Sequence, residues 1–144
     1  MARYIHTIDS KGRVIVPAKL RGHLGDAVYV TVSIDDGYLT MYTEPKFRDI
    51  HSQIAQLPST NPAVRRLMRD IVGEALLCEL DSQGRISVSE ALWQQINVAA
   101  GDEICFIDMF DKVEICSKQF FEAKEADKIP LSELDLSEFD VKGL

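Results

Sequence analysis

A segment of thirteen residues occurs twice in this chain of 144 residues. "IDSKGRVIVPAKL" begins at Ile8 and aligns without a gap on "LDSQGRISVSEAL", which begins at Leu80. Each copy continues into a Gly-Asp pair and then into two apolar segments separated by an Asp-containing turn, which is the pattern of a β-hairpin. The chain therefore contains an internal repeat, and we predict that each copy folds as strand, polar turn, strand, short helix and hairpin.

The polar turn in each copy reads D-S-x-G-R and combines two residue types suited to tight turns. Its Asp can accept a hydrogen bond from the backbone N–H two residues on, and its Gly can take a positive φ. Arg13 and Arg85 stand four positions after Asp9 and Asp81, near enough for each carboxylate to orient the guanidinium. Two interpretations remain open: an ion pair that only stabilises the turn, or an arginine held ready for a phosphate or a guanine edge. An exposed ion pair contributes only about 0 to 1 kcal/mol, so stability alone is a weak reason to build it twice.

Helix signals follow and separate the two repeats. Pro17 suits the first position of a short helix, and Ser89 suits the N-cap of its counterpart. Two longer helices are predicted between the repeats, over residues 45–57 and 61–73, because apolar residues recur there at helical spacing.

The formal charge of −7 is unevenly distributed along the chain. Residues 1–72 carry ten Lys or Arg against seven Asp or Glu, whereas residues 73–144 carry six against sixteen. A basic surface is therefore compatible with the first half. Part of this basic charge falls on one face of the second connecting helix, at Arg65, Arg66 and Arg69. That face is interpreted either as a solvated surface or as a contact for nucleic acid or an acidic neighbouring subunit.

These patterns divide the chain into four segments. We predict a first repeat over residues 5–47, a helical connector over 48–75, a second repeat over 76–119 and an acidic C-terminal tail over 120–144. From Phe121 onward the tail holds seven acidic and three basic residues around Pro130, with no sustained apolar period. Such a composition is typical of a mobile, solvated segment.

The sequence offers no chemistry typical of a catalytic or metal centre. Its three cysteines are odd in number and lack C-x-x-C spacing, so we expect reduced core thiols rather than disulfides or a zinc site. Its three histidines are scattered, and there is neither a phosphate-binding Gly loop nor a nucleophile in a recognisable elbow. We therefore expect no cofactor, metal ion or small-molecule substrate. No apolar segment approaches the roughly 20 residues that a membrane helix needs, so we also expect a soluble, cytoplasmic protein with no membrane partner.

Two D-x-x-x-R motifs, Asp9 to Arg13 and Asp81 to Arg85, occur in an order and spacing that resemble the MraZ family of bacterial transcriptional regulators. The similarity covers roughly residues 1–120. It includes the segments "HTIDSKGRVIVPAKLR", "GYLTMYTEPKF", "GEALLCELDSQGRISVS" and "DKVEICSKQFFE". One D-x-x-x-R motif would be weak evidence, but two tandem copies in this arrangement are specific.

The resemblance implies an α+β, β-rich fold in which two tandem SpoVT/AbrB-like swapped-hairpin repeats form an intrachain pseudo-dimeric barrel, with short helices between them. It also implies a ring-shaped homo-oligomer that displays the motifs to double-stranded DNA, at promoter repeats of the division and cell-wall gene cluster that includes the chain's own gene. The protein would then be nucleoid-associated. The segment "AVYVTVSI" would be apolar on both faces of its strand. That is more apolar surface than one small barrel readily covers, so it also favours an oligomer.

The residues expected to contact or organise DNA are those of the two motifs and the cations near them in sequence: Asp9, Lys11, Arg13, Lys19, Arg21, Asp81, Arg85 and Arg3. Five of the six cations belong to the first copy, and the second copy retains only Arg85. Trp93 stands at the position that Arg21 holds in the first copy. We therefore expect the first motif to contribute more to DNA affinity than the second.

Three other functions are compatible with parts of the sequence. An enzyme is disfavoured by the missing catalytic chemistry. The antitoxin or transition-state regulator branch of the same superfamily has one repeat per chain and a partner-binding tail; two repeats in one chain argue against it, although the acidic tail leaves room for a protein partner. The third alternative is a ring-forming scaffold that never contacts DNA. A salt-dependent mobility-shift assay on promoter fragments would distinguish it from a DNA-binding protein.

Overall fold

The computed structural model describes residues 3–144, which form an α+β fold built around an antiparallel sheet. Within these residues the strands are β1 (Arg3–Thr7), β2 (Arg13–Ile15), β3 (Ala27–Val32), β4 (Leu39–Thr43), β5 (Leu76–Glu79), β6 (Arg85–Ser87), β7 (Glu103–Asp108) and β8 (Val113–Ser117). The helices are α1 (Ala18–Leu24), α2 (Glu44–Ala55), α3 (Pro62–Leu67), α4 (Glu90–Gln95) and α5 (Lys118–Ala126), with a π-helix at Met68–Gly73 and a 3-10 turn at Leu131–Glu133.

The large sheet mixes strands of the two repeats. Its order is β1-β7-β8-β4-β3-β5, and each neighbouring pair is antiparallel. β1 of the first repeat pairs with β7 of the second, with Arg3 opposite Ile107 and Thr7 opposite Glu103. β5 of the second repeat pairs in turn with β3 of the first. The two predicted hairpins, β3–β4 and β7–β8, are present and meet at the centre of the sheet through β4 and β8.

β2 and β6 form a separate antiparallel ribbon with one strand from each repeat. Val14 lies opposite Ile86 in this ribbon, and both side chains are buried. Because β2 and β6 pair as strands only with each other, they do not join the edge strands β1 and β5 of the large sheet. No closed barrel is found among residues 3–144, so the swapped-hairpin barrel implied by the resemblance is not confirmed.

One hydrophobic core draws on both repeats. It contains Leu20 from α1, Leu92 from α4 and the inner face of the sheet, where Phe106 is fully buried and packs edge-on against His6 at a centroid distance of 5.9 Å. Buried apolar residues of both repeats thus belong to one continuous core. Neither repeat could bury its apolar surface to this extent alone.

Helices cover the other face of the sheet. Tyr29 on β3 stacks on Phe47 of α2 with ring centroids 4.4 Å apart, and the hydroxyl of Thr31 donates a hydrogen bond to the carbonyl oxygen of Ile71 in the π-helix. β3 is therefore covered on both faces within one chain. Its apolar sequence does not by itself require a second subunit.

The starts of α3 and α4 agree with the sequence, whereas α1 begins one residue later than expected and α2 spans Glu44–Ala55 instead of 45–57. Ser89 caps α4 by accepting a hydrogen bond from the N–H of Leu92 at 3.3 Å, and Asn61 caps α3 by accepting from Ala63 at 2.8 Å. Pro17 was expected at the first helical position, but it is the N-cap of α1 because its ψ of 136° is extended.

Two segments differ from their predicted conformation. The helix predicted over residues 61–73 is present, but it widens from α to π at Met68, which apolar spacing alone does not reveal. The predicted tail begins inside α5, so its first residues up to Ala126 are helical and pack against β7 and β8. Residues 127–144 are exposed throughout.

Candidate nucleic-acid interface

The first motif turn is held by its own aspartate. Oδ1 of Asp9 accepts hydrogen bonds from the backbone N–H groups of Lys11 and Arg13, each at 2.9 Å, and Oδ2 accepts from Nε of Arg13 at 2.8 Å. Gly12 takes a φ of 78°, the positive value expected for this turn. The carboxylate therefore closes the turn and orients the guanidinium at the same time.

The second motif turn has the same geometry. Asp81 accepts from the backbone of Gln83 and Arg85 at 2.9 Å each, and from Nε of Arg85 at 2.7 Å. Gly84 takes a φ of 76°. The turn geometry predicted for both copies of the motif is thus confirmed.

Hydrogen bonding keeps both aspartates ionised. The backbone N–H of Arg13 is the main cause that lowers the pKa of Asp9, and the backbone N–H of Arg85 does the same for the pKa of Asp81. The side chains of Arg13 and Arg85 remain 27% and 24% exposed, and no hydrogen bond among residues 3–144 uses their Nη atoms. Each arginine therefore has an oriented stem and an accessible end that can donate to an acceptor.

The β2–β6 ribbon places both arginines on one face. Arg13 lies opposite Ser87 and Ile15 lies opposite Arg85. Directly opposed residues of an antiparallel pair have side chains on the same face, and so do alternate residues along one strand. Arg13 and Arg85 are therefore diagonal neighbours on one face, with their Cα atoms roughly 7–8 Å apart. Two oriented guanidinium groups from different repeats thus belong to a single surface.

Two helix residues cross over to the motif turns. Trp93 on α4 of the second repeat donates from Nε1 to the carbonyl oxygen of Gly12, in the first motif, at 2.9 Å. Arg21 on α1 of the first repeat lies over Gly84, in the second motif, where an added Cβ would overlap its guanidinium. The sequence shows that Arg21 and Trp93 occupy equivalent positions. It does not show the crossover, which results from the long-range pairing of β2 with β6.

The remaining predicted cations are spread over the surface. Lys11 is exposed in the first turn and Lys19 is exposed on α1. Arg3 lies at the far end of β1, about 20 Å along an extended chain from the first turn. Its guanidinium is 3.8 Å from the carboxylate of Glu125 and 5.2 Å from the ring centroid of Phe121, both on α5. Arg3 and Arg21 therefore do not gather around the first motif.

Two of the three arginines on the second connecting helix, Arg65 and Arg66, are engaged locally. Arg66 pairs with Asp70 at 3.0 Å, and Nη1 of Arg65 donates to the carbonyl oxygens of Ser59 and Thr60 at 3.2 and 2.9 Å. These contacts stabilise the connector helix and its entry loop. They give no support to a nucleic-acid contact on that face.

Other sites in residues 3–144 offer little functional chemistry. No group of three or more His, Cys, Asp or Glu side chains there is arranged to hold a metal ion, and none of its helices combines the length and apolarity needed to cross a bilayer. Cys78, Cys105 and Cys116 are buried free thiols, as expected from the sequence. Burial raises the pKa of Cys78 to about 11 and is the main cause that raises the pKa of Cys116 to about 12.

Both repeats match one family. The family model described as "MraZ protein, putative antitoxin-like" matches residues 1–70 and again residues 71–142. A protein from Thermoanaerobacter pseudethanolicus named Transcriptional regulator MraZ is 38% identical over 122 residues, which are 85% of this chain and 83% of that protein. A relative of the same name from Lachnoclostridium phytofermentans is 37% identical over 139 residues and 96% of each chain. Another, from Chromobacterium violaceum, is 30% identical over 93% of this chain and 91% of its own.

Proposed function

Because this chain belongs to the MraZ family, we propose that it is a transcriptional regulator that binds double-stranded DNA in a sequence-specific way. Its relatives carry the name of a transcriptional regulator and match most of this chain. The β2–β6 ribbon is the surface that contacts DNA. Arg13 and Arg85 make the contacts, and Asp9 and Asp81 orient them.

The presentation of two oriented arginines on one ribbon face is the observation that supports this proposal. A guanidinium can donate two parallel hydrogen bonds to a phosphate or to O6 and N7 of guanine. Each arginine is already held by its aspartate, so less conformational entropy is lost when it meets DNA. The aspartates themselves are not phosphate ligands, because like charges repel.

Several subunits acting together would allow an acidic chain to bind DNA tightly. We propose a ring-shaped homo-oligomer whose ribbons face repeated operator elements in the promoter of the division and cell-wall gene cluster, including the chain's own gene. Linked weak contacts then act together. Ile5 and Leu77, on the edge strands β1 and β5, are 42% and 43% exposed and are candidate contacts between subunits.

The experiment is footprinting and mobility-shift titration on DNA upstream of the chain's own gene, at several salt concentrations. An Arg13→Ala, Arg85→Ala double variant should lose specific protection. Each lost phosphate contact lowers the salt slope by about 0.9, and each lost guanine contact costs about 1–3 kcal/mol on the cognate site alone. The matched control is Arg48→Ala, which removes an arginine paired with Glu44 at 3.1 Å on α2.

Three outcomes would count against parts of this proposal. Tight, specific binding by the double variant would mean that the motifs are turns repeated only because the domain was duplicated. A wild-type protein that assembles but binds no promoter fragment would be a scaffold instead. Sedimentation as a clean monomer at micromolar concentration would contradict the ring.

A further inference from the structure

The side chain of Arg21 lies on the second motif turn, although its sequence position is in the first repeat. Nε of Arg21 donates to the carbonyl oxygen of Val16 at 2.9 Å, and the N–H of Val16 donates to the carbonyl oxygen of Gly84, also at 2.9 Å. The guanidinium covers the Cα of Gly84, where an added Cβ would overlap Cζ, Nη1 and Nε. A chain of two hydrogen bonds and a packing contact therefore connects α1 to this turn.

The position of Gly84 matters because it immediately precedes Arg85. A change in the backbone at Gly84 would change the direction in which the Arg85 side chain leaves the ribbon. Gly84 is buried, whereas its counterpart Gly12 is only half-buried, and Arg21 is the side chain that covers it. Arg21 forms no ion pair with a carboxylate of residues 3–144, so hydrogen bonding and packing fix its position.

The first motif turn has a neutral support at the equivalent place. There the Trp93 indole lies against Gly12 and donates to its carbonyl oxygen. Within the turns themselves the extra cation belongs to the first motif, because the first turn contains Lys11 where the second contains the neutral Gln83. Each motif therefore has one aspartate-oriented arginine and one further cation, Lys11 beside the first and Arg21 beside the second.

We propose that Arg21 is a positioning residue of the second motif: its guanidinium holds the turn at Gly84 so that Arg85 is aimed at DNA. This inference rests on the proposed function and assigns Arg21 to the motif of the other repeat. The helix of each repeat thereby completes the DNA contact of its neighbour. The two motifs also become more nearly equal in charge than a count along the sequence indicates.

The test is Arg21→Lys in three backgrounds: the wild-type chain, Arg13→Ala and Arg85→Ala. Lysine keeps the charge but cannot reproduce the bond from Nε or the flat packing on Gly84. We expect affinity for the cognate DNA to fall roughly tenfold in the wild-type and Arg13→Ala backgrounds, and by less than about twofold in the Arg85→Ala background. Because lysine keeps the charge, the salt slope should change only through Arg85: it should fall by about 0.9 where Arg85 contacts phosphate and stay unchanged where Arg85 contacts guanine. Arg48→Lys, the same exchange on α2, is the matched control.

Three results would overturn the proposal. An equal loss in all backgrounds would indicate a general effect on the fold. A loss that disappears in the Arg13→Ala background would mean that Arg21 serves its own repeat. Full affinity in Arg21→Lys would mean that the contacts of the guanidinium with Val16 and Gly84 are not needed.

A second measurement separates this proposal from the proposed function. In NMR spectra, Arg21→Lys should shift the Gly84 amide and the Nε–H signal of Arg85, and leave the Nε–H signal of Arg13 in place. If the wild-type protein bound no DNA, the regulatory function would fail, yet these signals would still decide the positioning role. Movement of the Arg13 signal without that of Arg85 would contradict it.

Discussion

The indole nitrogen of Trp93 donates a hydrogen bond to the carbonyl oxygen of Gly12 across a sequence separation of 81 residues. Trp93 is only 2% exposed, so water cannot readily replace this bond. The same carbonyl also accepts from the N–H of Val88 at 3.3 Å. The first motif turn is therefore anchored to two residues of the second repeat, Trp93 and Val88.

Trp93→Phe should lower the free energy of unfolding by about 1–3 kcal/mol, because it removes the indole donor and part of the buried ring. Gly12 keeps its bond from Val88, which places the expected loss toward the lower end. Urea unfolding measures this loss. It is followed by far-UV circular dichroism, because the variant lacks the chain's single tryptophan and so has no tryptophan fluorescence to follow. Exposed Gln95→Ala on the same helix should change stability by less than about 0.5 kcal/mol. A loss no larger than this would show that the indole bond adds no stability.

Gly84→Ala should be more destabilising than Gly12→Ala. Both residues have a positive φ, which costs a residue with a Cβ about 1–2 kcal/mol. At Gly84 the new methyl group would also overlap the Arg21 guanidinium, whereas at Gly12 it would approach the Val88 carbonyl oxygen only to 3.3 Å. Thermal unfolding of both variants gives the comparison. Adding Arg21→Ala to Gly84→Ala should recover part of the loss, and additive effects would contradict the contact.

Asp9→Asn should weaken specific DNA binding roughly tenfold, because the amide keeps an acceptor for the turn but loses the charge that orients Arg13. If Asp9 served only to repel phosphate, the same change would strengthen binding. The lowered pKa of Asp9 also predicts a pH dependence. A carboxyl whose pKa falls on folding stabilises the folded protein at pH values above its ordinary pKa of 3.8. This stabilisation is lost as the pH falls through the lower pKa of the folded state. The stability difference between wild type and Asp9→Asn should therefore persist at pH 5, shrink as pH falls below 3.8 and disappear only below the folded pKa.

Deletion of residues 127–144 should leave the fold intact, because all of them are exposed. The unfolding midpoint should change by no more than about 2 °C, and DNA affinity should stay the same or rise as acidic groups are removed. A longer deletion from Lys118 removes Phe120, whose ring packs edge-on against Tyr38 at 5.2 Å, and should cost more than about 2 kcal/mol. Loss of assembly in the shorter deletion would identify the segment after α5 as a docking element.

Local chemistry was enough to predict the motif turns and most helix starts. The Asp9 side chain and Gly12 act within five residues, so their roles follow from residue type and spacing alone. The N-cap at Ser89 is equally local. These features depend little on the rest of the fold, which is why a single sequence reveals them.

The exchange of strands between repeats could not be derived from patterns of apolar residues. The two repeats are so similar that β1 presents the same alternation to a partner from its own repeat as to β7. The choice depends on long-range packing, which the alternation within one strand does not encode. The position of the Arg21 side chain follows from that choice, so its contact with Gly84 could not be predicted from the sequence either.

The pairing of β1 with β7 also imposes an order on biosynthesis. Arg3 meets Ile107, so the first strand emerges from the ribosome long before its partner exists. At about 5–20 residues per second, this wait lasts roughly 5–20 s. During that interval β1 has no partner strand and His6 lacks the ring of Phe106, whereas β3 and β4 can already pair with each other. A translation pause before β7 would lengthen the time that β1 spends without its partner strand.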